Sequence, residues 1–171
     1  LIIFVAIIHS TTINIPADYS TIQEGINNTA TGDTVLVAPG IYYENIQFNL
    51  SGIVVASQYI NSFDPQDIQE TVIDGNQNGS VIVFSGALDS TAVLMGFSLI
   101  NGTGTGGDGS HRGGGIACWS CSPKVDHVII RDNHVDRDGG GIVMNTSNMI
   151  LSNVTITGNS APFGAGIFLF D

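Results

Sequence analysis

Between Gly113 and Ile167 the apolar residues come in short β-branched runs, alternate with polar positions, break at glycine and never fall at helical spacing. One phrase recurs there as Gly113-Gly114-Gly115-Ile116, Gly139-Gly140-Gly141-Ile142 and Gly164-Ala165-Gly166-Ile167, at intervals of 26 and 25 residues. Between the phrases, Val128-Ile129-Ile130-Arg131-Asp132-Asn133 aligns with Val154-Thr155-Ile156-Thr157-Gly158-Asn159 at the same interval of 26. A period in the twenties fits a leucine-rich repeat or a parallel β-helix. The units lack the leucines and the helical segment of the former, and their composition favours strands. The pattern therefore predicts an all-β parallel β-helix (solenoid), each turn of chain stacked about 4.8 Å from the next.

Taken in order, residues 13–33 read as an N-terminal cap. Ser20 with Gln23, or Thr21 with Glu24, has capping-box spacing, and Ile22 and Ile26 share a helical face. The spacing predicts a short amphipathic helix that ends near Gly32 and plugs the open apolar end of the first coil. Residues 34–171 then read as coils. Expected strands cover residues 33–37, 41–48, 53–56, 71–75, 81–84, 92–101 and 125–133. Residues 58–70, with Asp64-Pro65 and little periodicity, read as a long loop, and the glycine-rich residues 103–112 as an insert.

The period places side chains on neighbouring coils. Ile116, Ile142 and Ile167 form one inward column and Cys118, Met144 and Leu169 the next, while Val128 with Val154 and Ile130 with Ile156 repeat the pattern on another sheet. Asn133 falls over Asn159 at a corner, as an amide ladder would. The outward positions are Ala117 and Trp119, Val143 and Asn145, and Phe168 and Phe170. Trp119, Asn145 and Phe170 then form a column of the kind on which sugar rings stack, unless another segment covers it.

Composition narrows the partners. The chain of 171 residues is 43% hydrophobic and only 11% charged, with 22 glycines and a net charge of -11. Such an acidic surface excludes a nucleic-acid backbone as partner, and binding a polyanionic polysaccharide would need calcium or local arginines. Residues 1–9 are apolar and are followed by Ser10-Thr11-Thr12, with no initiator Met and no basic stretch. Residues 1–12 are read as the remnant of a signal peptide, with an edge strand as the alternative, and the run is too short to span a bilayer. Phe168-Leu169-Phe170-Asp171 stops inside a repeat, so further coils are expected beyond it.

One corner concentrates charge. His111 and Arg112 fall over Arg137 and Asp138, which predicts an Arg112–Asp138 ion pair between coils. Added to them, Asp108, Asp132, His134 and Asp136 would make a calcium or acid–base cluster. Asp136-Arg137-Asp138-Gly139, however, carries only a fragment of a calcium-loop pattern. Cys118 and Cys121 form a lone C-x-x-C, either two partly buried thiols or a local disulfide after export. Zinc would need two more ligands, so no metal is assigned.

The run Ile15-Pro16-Ala17-Asp18-Tyr19-Ser20-Thr21-Ile22-Gln23, then Gly32-Asp33-Thr34-Val35-Leu36-Val37-Ala38-Pro39-Gly40 and Tyr43-Glu44-Asn45-Ile46, resembles the cap and first coil of the pectin lyase-like superfamily. Val72-Ile73-Asp74-Gly75, Gly96-Phe97, Asn101-Gly102 and the glycine phrases are similar to its bacterial secreted and surface-protein branch. The resemblance implies that the parallel β-helix is right-handed, and it implies an extracellular location. It carries over no catalytic residue: neither the glutamine, aspartate and arginine signatures of pectin methylesterases nor the arginine and calcium-aspartate pattern of pectate lyases has a match here. The expected function is a secreted or cell-surface scaffold for carbohydrate contact or adhesion, its partner a polysaccharide or surface glycan. The alternative is a polysaccharide lyase or glycoside hydrolase whose active site lies in further coils.

Overall fold

The computed structural model describes residues 10–105 and 111–170. Residues 1–9 of the expected signal-peptide remnant (residues 1–12), and Asp108, lie outside the described residues. In chain order the elements are β1 (Thr12–Ile15), α1 (Ile22–Asn27), β2 (Thr34–Val37), β3 (Gly40–Tyr43), β4 (Ile46–Phe48), β5 (Val54–Ser57), α2 (Tyr59–Ser62) and α3 (Pro65–Glu70). They continue as β6 (Thr71–Asp74), β7 (Ile82–Ser85), β8 (Val93–Met95), β9 (Ser98–Ile100), β10 (Ile116–Trp119), β11 (Lys124–Asp126) and β12 (Ile129–Arg131). The last are β13 (Ile142–Asn145), β14 (Ile150–Ser152), β15 (Thr155–Thr157) and β16 (Ile167–Phe170).

The strands form three sheets in which the named pairings are parallel. The first runs β1-β2-β5-β8-β11-β14, the second β3-β6-β9-β12-β15 and the third β4-β7-β10-β13-β16. From β2 onward the chain visits the three in fixed rotation, so each pass contributes one short strand to each sheet. Strands expected as continuous are therefore cut at corners. Residues 41–48 divide into β3 and β4 at Glu44-Asn45, residues 92–101 into β8 and β9 at Gly96-Phe97, and residues 125–133 into β11 and β12 at His127-Val128.

The corners are built from left-handed residues that succeed one another from pass to pass. Gly96, His127 and Asn153 have φ of +84°, +49° and +52° after the first sheet, and Asn101, Asp132 and Gly158 have +57°, +56° and +65° after the second. Gly86, Ser120 and Thr146 follow the third, at +82°, +52° and +46°. This backbone costs an ordinary L-residue roughly 1–2 kcal/mol, which explains why glycine, Asn and Asp recur there.

The cap differs from its sequence reading at both ends. Strand β1 precedes the helix and pairs with β2, and α1 stops at Asn27 with Asn28 as its C-cap, short of Gly32. Thr21 Oγ1 accepts from Glu24 N at 3.1 Å, one of the two capping pairs the spacing allowed. From the first pass, the Glu44 carboxylate accepts from Ile22 N at 2.9 Å and Gln23 N at 3.0 Å, so it holds the helix N-terminus against the sheets. Asp33 accepts from Ala30 N and Thr11 N, both at 2.7 Å, and these backbone donors hold its carboxyl below the usual range. The expected loop at residues 58–70 is instead the helices α2 and α3, the second with Asp64 as N-cap and Pro65 in its first turn.

Core columns follow the expected register. Ile46, Ile82, Ile116 and Ile142 lie in one buried file that continues to Ile167, and Phe48, Phe84 and Cys118 in another that continues through half-buried Met144 to Leu169. The Phe48 and Phe84 rings meet at 4.5 Å between centroids. At β16 the files end in side chains exposed by 39% for Ile167 and 64% for Leu169. Ala117 and Val143, expected to face outward, are instead fully buried. The glycine segments lie across them: a Cβ on Gly113 would fall 3.0 Å from Ala117 Cα, and one on Gly139 3.0 Å from Val143 Cβ. Among the described residues no helix is long and apolar enough to cross a membrane.

Cys118 and Cys121 are joined by a disulfide and both are buried. It closes a short loop at the end of β10, so replacing both with alanine is expected to lower the free energy of unfolding by about 2 kcal/mol. Urea melts of the variant beside the oxidised parent would measure this, and an unchanged midpoint would show that the bond contributes nothing to stability.

Candidate functional site

The aromatic column stands in the third sheet, where β10, β13 and β16 set Trp119, Asn145 and Phe170 in direct register. All three are half-buried. The Trp119 and Phe170 rings lean toward each other across Asn145, nearly parallel at 26° with centroids 6.4 Å apart. Phe168 packs edge-on against Phe170 at 5.3 Å, which adds a third ring to the patch. The covering segment stops short of this end of the strands: the glycines hide Ala117 and Val143 and leave the aromatic positions partly open.

The charged corner sits beside it. Arg112 pairs with Asp138 in parallel register, and its Nε donates to Asp138 Oδ2 at 2.9 Å. Arg137 Nε lies 3.3 Å from the same oxygen. The Arg112 and Asp138 side chains are only 13% and 8% exposed, so this expected pair between coils is a buried one. The Arg112 guanidinium also lies over the Phe170 ring, 5.7 Å from its centroid, in cation–π range. Through Arg112 the charged corner and the aromatic column form one continuous patch.

The remaining corner residues face a cleft on the other side of the same segment. His111 Nδ1 lies 3.3 Å from Asp136 Oδ2, and His134 Nδ1 lies 2.7 Å from Ser160 Oγ. Asp132 is engaged by Arg131 Nη1 at 2.6 Å. The described members of the expected acid–base or calcium cluster thus stand in separate pairs, each described carboxylate with its own cation or imidazole. Among the described residues no three His, Cys, Asp or Glu side chains converge as a metal site.

The cleft has a volume of about 600 Å³, and its walls are the connections that lead from the second sheet to the third in successive passes. Gln77, Asn78 and Gly79 come from one pass, Thr103, Gly104, Thr105 and His111 from the next, and His134 and Asp136 from the third. Gln77 and His134 also line an adjoining hollow of about 190 Å³ that reaches Asp132. Sequence reasoning found His111, His134 and Asp136 but missed Gln77, Asn78, Thr103 and Thr105. Only the turn-forming string Asn76-Gln77-Asn78-Gly79 signalled that part of the wall.

No family model, curated protein or solved structure matches the chain.

Proposed function

We propose that the three parallel sheets are the faces of a right-handed parallel β-helix of the pectin lyase-like kind, and that the protein is a secreted or cell-surface scaffold that contacts glycans. The observation that carries this reading is the patch of Trp119, Phe168 and Phe170 edged by Arg112, three rings and a guanidinium held at fixed spacing on a sheet. Flat aromatic faces beside hydrogen-bond donors suit the apolar faces and equatorial hydroxyls of pyranose rings. A buried disulfide favours an oxidising compartment, and the acidic surface keeps an extracellular solenoid from self-association.

Trp119 is the only tryptophan in the chain, so its emission reports directly on the patch. Titration with a panel of neutral and acidic polysaccharides is expected to shift that emission for at least one member. Trp119→Phe and Trp119→Ala are expected to weaken binding of that member, measured by affinity electrophoresis, the alanine variant by about tenfold, equivalent to about 1.4 kcal/mol. A panel without a single response, or full binding by Trp119→Ala, would remove the aromatic patch from the function.

A further inference from the structure

The aromatic patch leaves the cleft unused. Its walls come from three passes, yet its polar groups point to one chemistry. Gln77 and Asn78 present carboxamides from exposed positions. Thr103 Oγ1 accepts from Gly79 N at 3.1 Å and Thr105 Oγ1 from Ser80 N at 3.0 Å, so each hydroxyl is fixed in place and keeps its own hydrogen to donate. Asp136 supplies a carboxylate acceptor, and His134 an imidazole whose Nδ1 is oriented by Ser160. Among the described residues neither Lys nor Arg belongs to the lining, and Arg112 Nε and Arg137 Nε lie 2.9 and 3.3 Å from Asp138 Oδ2.

Gln77 adds an independent sign. The backbone Asn78 N–H closes on Gly75 O at 2.9 Å, with Asn76 and Gln77 between them at φ of +48° and +54°, a turn with two successive left-handed residues. Glycine is the residue such a position favours, and a glutamine there is strained. Its exposed side chain lines both the cleft and the adjoining hollow. Backbone strain is enriched at ligand-contacting positions, and here it falls on a side chain that faces both hollows.

From this we infer that the cleft is a second, separate saccharide site, selective for uncharged oligosaccharides over uronic-acid chains. Carboxamides, fixed hydroxyl donors, an imidazole and one carboxylate match the mixed donor and acceptor pattern of vicinal hydroxyls. A uronate would meet the Asp136 carboxylate in a cleft lined, among the described residues, by no Lys or Arg, on a chain of net charge -11. The inference rests on the glycan-contact reading for the ligand class alone and uses none of the residues of the aromatic patch.

Calorimetry with the whole chain tests it, using cellotetraose, xylotetraose, mannotetraose and chitotetraose as uncharged probes and tetragalacturonate with and without calcium as the charged one. At least one uncharged probe is expected to bind, and Asp136→Asn and Asn78→Ala each to weaken it about tenfold, with Trp119→Ala unchanged at this site. Gln77→Gly is the sharpest variant, because it is expected to raise the melting temperature by relieving the turn while weakening the same probe about tenfold. Preference for tetragalacturonate, with or without calcium, overturns the inference, as does silence of all four uncharged probes. Binding that is lost in Trp119→Ala and indifferent to Gln77→Gly and Asp136→Asn overturns the cleft and leaves the aromatic patch standing. The reverse pattern upholds the cleft and removes the patch.

Discussion

Asn133→Ala is expected to lower the free energy of unfolding by about 3–4 kcal/mol and the melting temperature by roughly 10 °C for a chain of this size. Asn133 is 1% exposed and uses its amide completely. Its Oδ1 accepts from Gly102 N at 2.8 Å on the preceding pass. Its Nδ2 donates to Leu99 O at 3.2 Å, Arg131 O at 3.1 Å and Asn159 Oδ1 at 2.9 Å on the following one. Alanine leaves the Gly102 N–H without its acceptor in a buried corner, and an orphaned group of that kind costs about 1–3 kcal/mol alone. Asn159→Ala removes the neighbour from a half-buried position, where water can replace it, and should cost less than half as much. Asn133→Asp would be no rescue, since a carboxylate would face two carbonyl oxygens. Thermal melts of the three variants check the order, and an Asn133→Ala loss no larger than that of Asn159→Ala would mean that the ladder is not a buried, cooperative element.

The sequence made this ladder legible because Asn133 and Asn159 are one period apart, and the period also aligned Ile116, Ile142 and Ile167 and paired Arg112 with Asp138. Repetition converts sequence distance into spatial contact wherever the unit is undisturbed. The corners were less legible for the opposite reason. Ile41, Tyr43 and the residues to Phe48 alternate in a way that continues through Glu44-Asn45, so period alone reads β3 and β4 as one strand. The left-handed residues that mark other corners include His127, Ser120 and Thr146, which no turn rule singles out. Helices α2 and α3 hid behind weak periodicity, although Asp64-Pro65 is a proper helix start.

Burial on the third sheet was misread because alternation assigns a side chain to a face and says nothing of what lies over that face. Ala117 and Trp119 point the same way, yet one is covered by the glycine segment and the other is partly open. The cleft was the least legible part. Its walls come from three connections that share no repeated motif, and Gln77 and Thr105 are ordinary residues until neighbouring passes bring them together. Of the residues expected at the charged corner, His111 and Asp136 line it, whereas Arg112, Arg137 and Asp138 form the ion-pair group behind it.

The glycine phrase itself yields the second large effect, a difference between a glycine of the phrase and a corner glycine outside it. A Cβ on Gly114 would lie 2.5 Å from Gly140 O and 2.9 Å from Asn133 Cβ, so it would meet backbone on the next pass and the base of the ladder together. Neither can move without displacing a neighbouring strand, because Gly114 N itself donates to Gly139 O at 3.1 Å and Val81 N to Gly114 O at 3.0 Å. Gly140 repeats the geometry one pass on, with Ala165 O and Ser160 O at 2.6 and 2.7 Å. The residue at the same place in the third phrase is Ala165, which is exposed, and there a methyl group is tolerated. Gly86 is the contrasting case: its φ is +82°, but a Cβ would meet nothing within 4 Å. Gly86→Ala should therefore cost only the left-handed penalty of about 1–2 kcal/mol. Gly114→Ala should cost at least about 3 kcal/mol, at the upper end of overpacking, and Gly114→Val should prevent accumulation of folded protein. Denaturant midpoints for the two alanine variants, and soluble yield for the valine one, measure the difference. Equal losses at Gly86 and Gly114 would mean that backbone conformation alone selects glycine, and that adjacent passes do not approach as closely as the carbonyl contacts require.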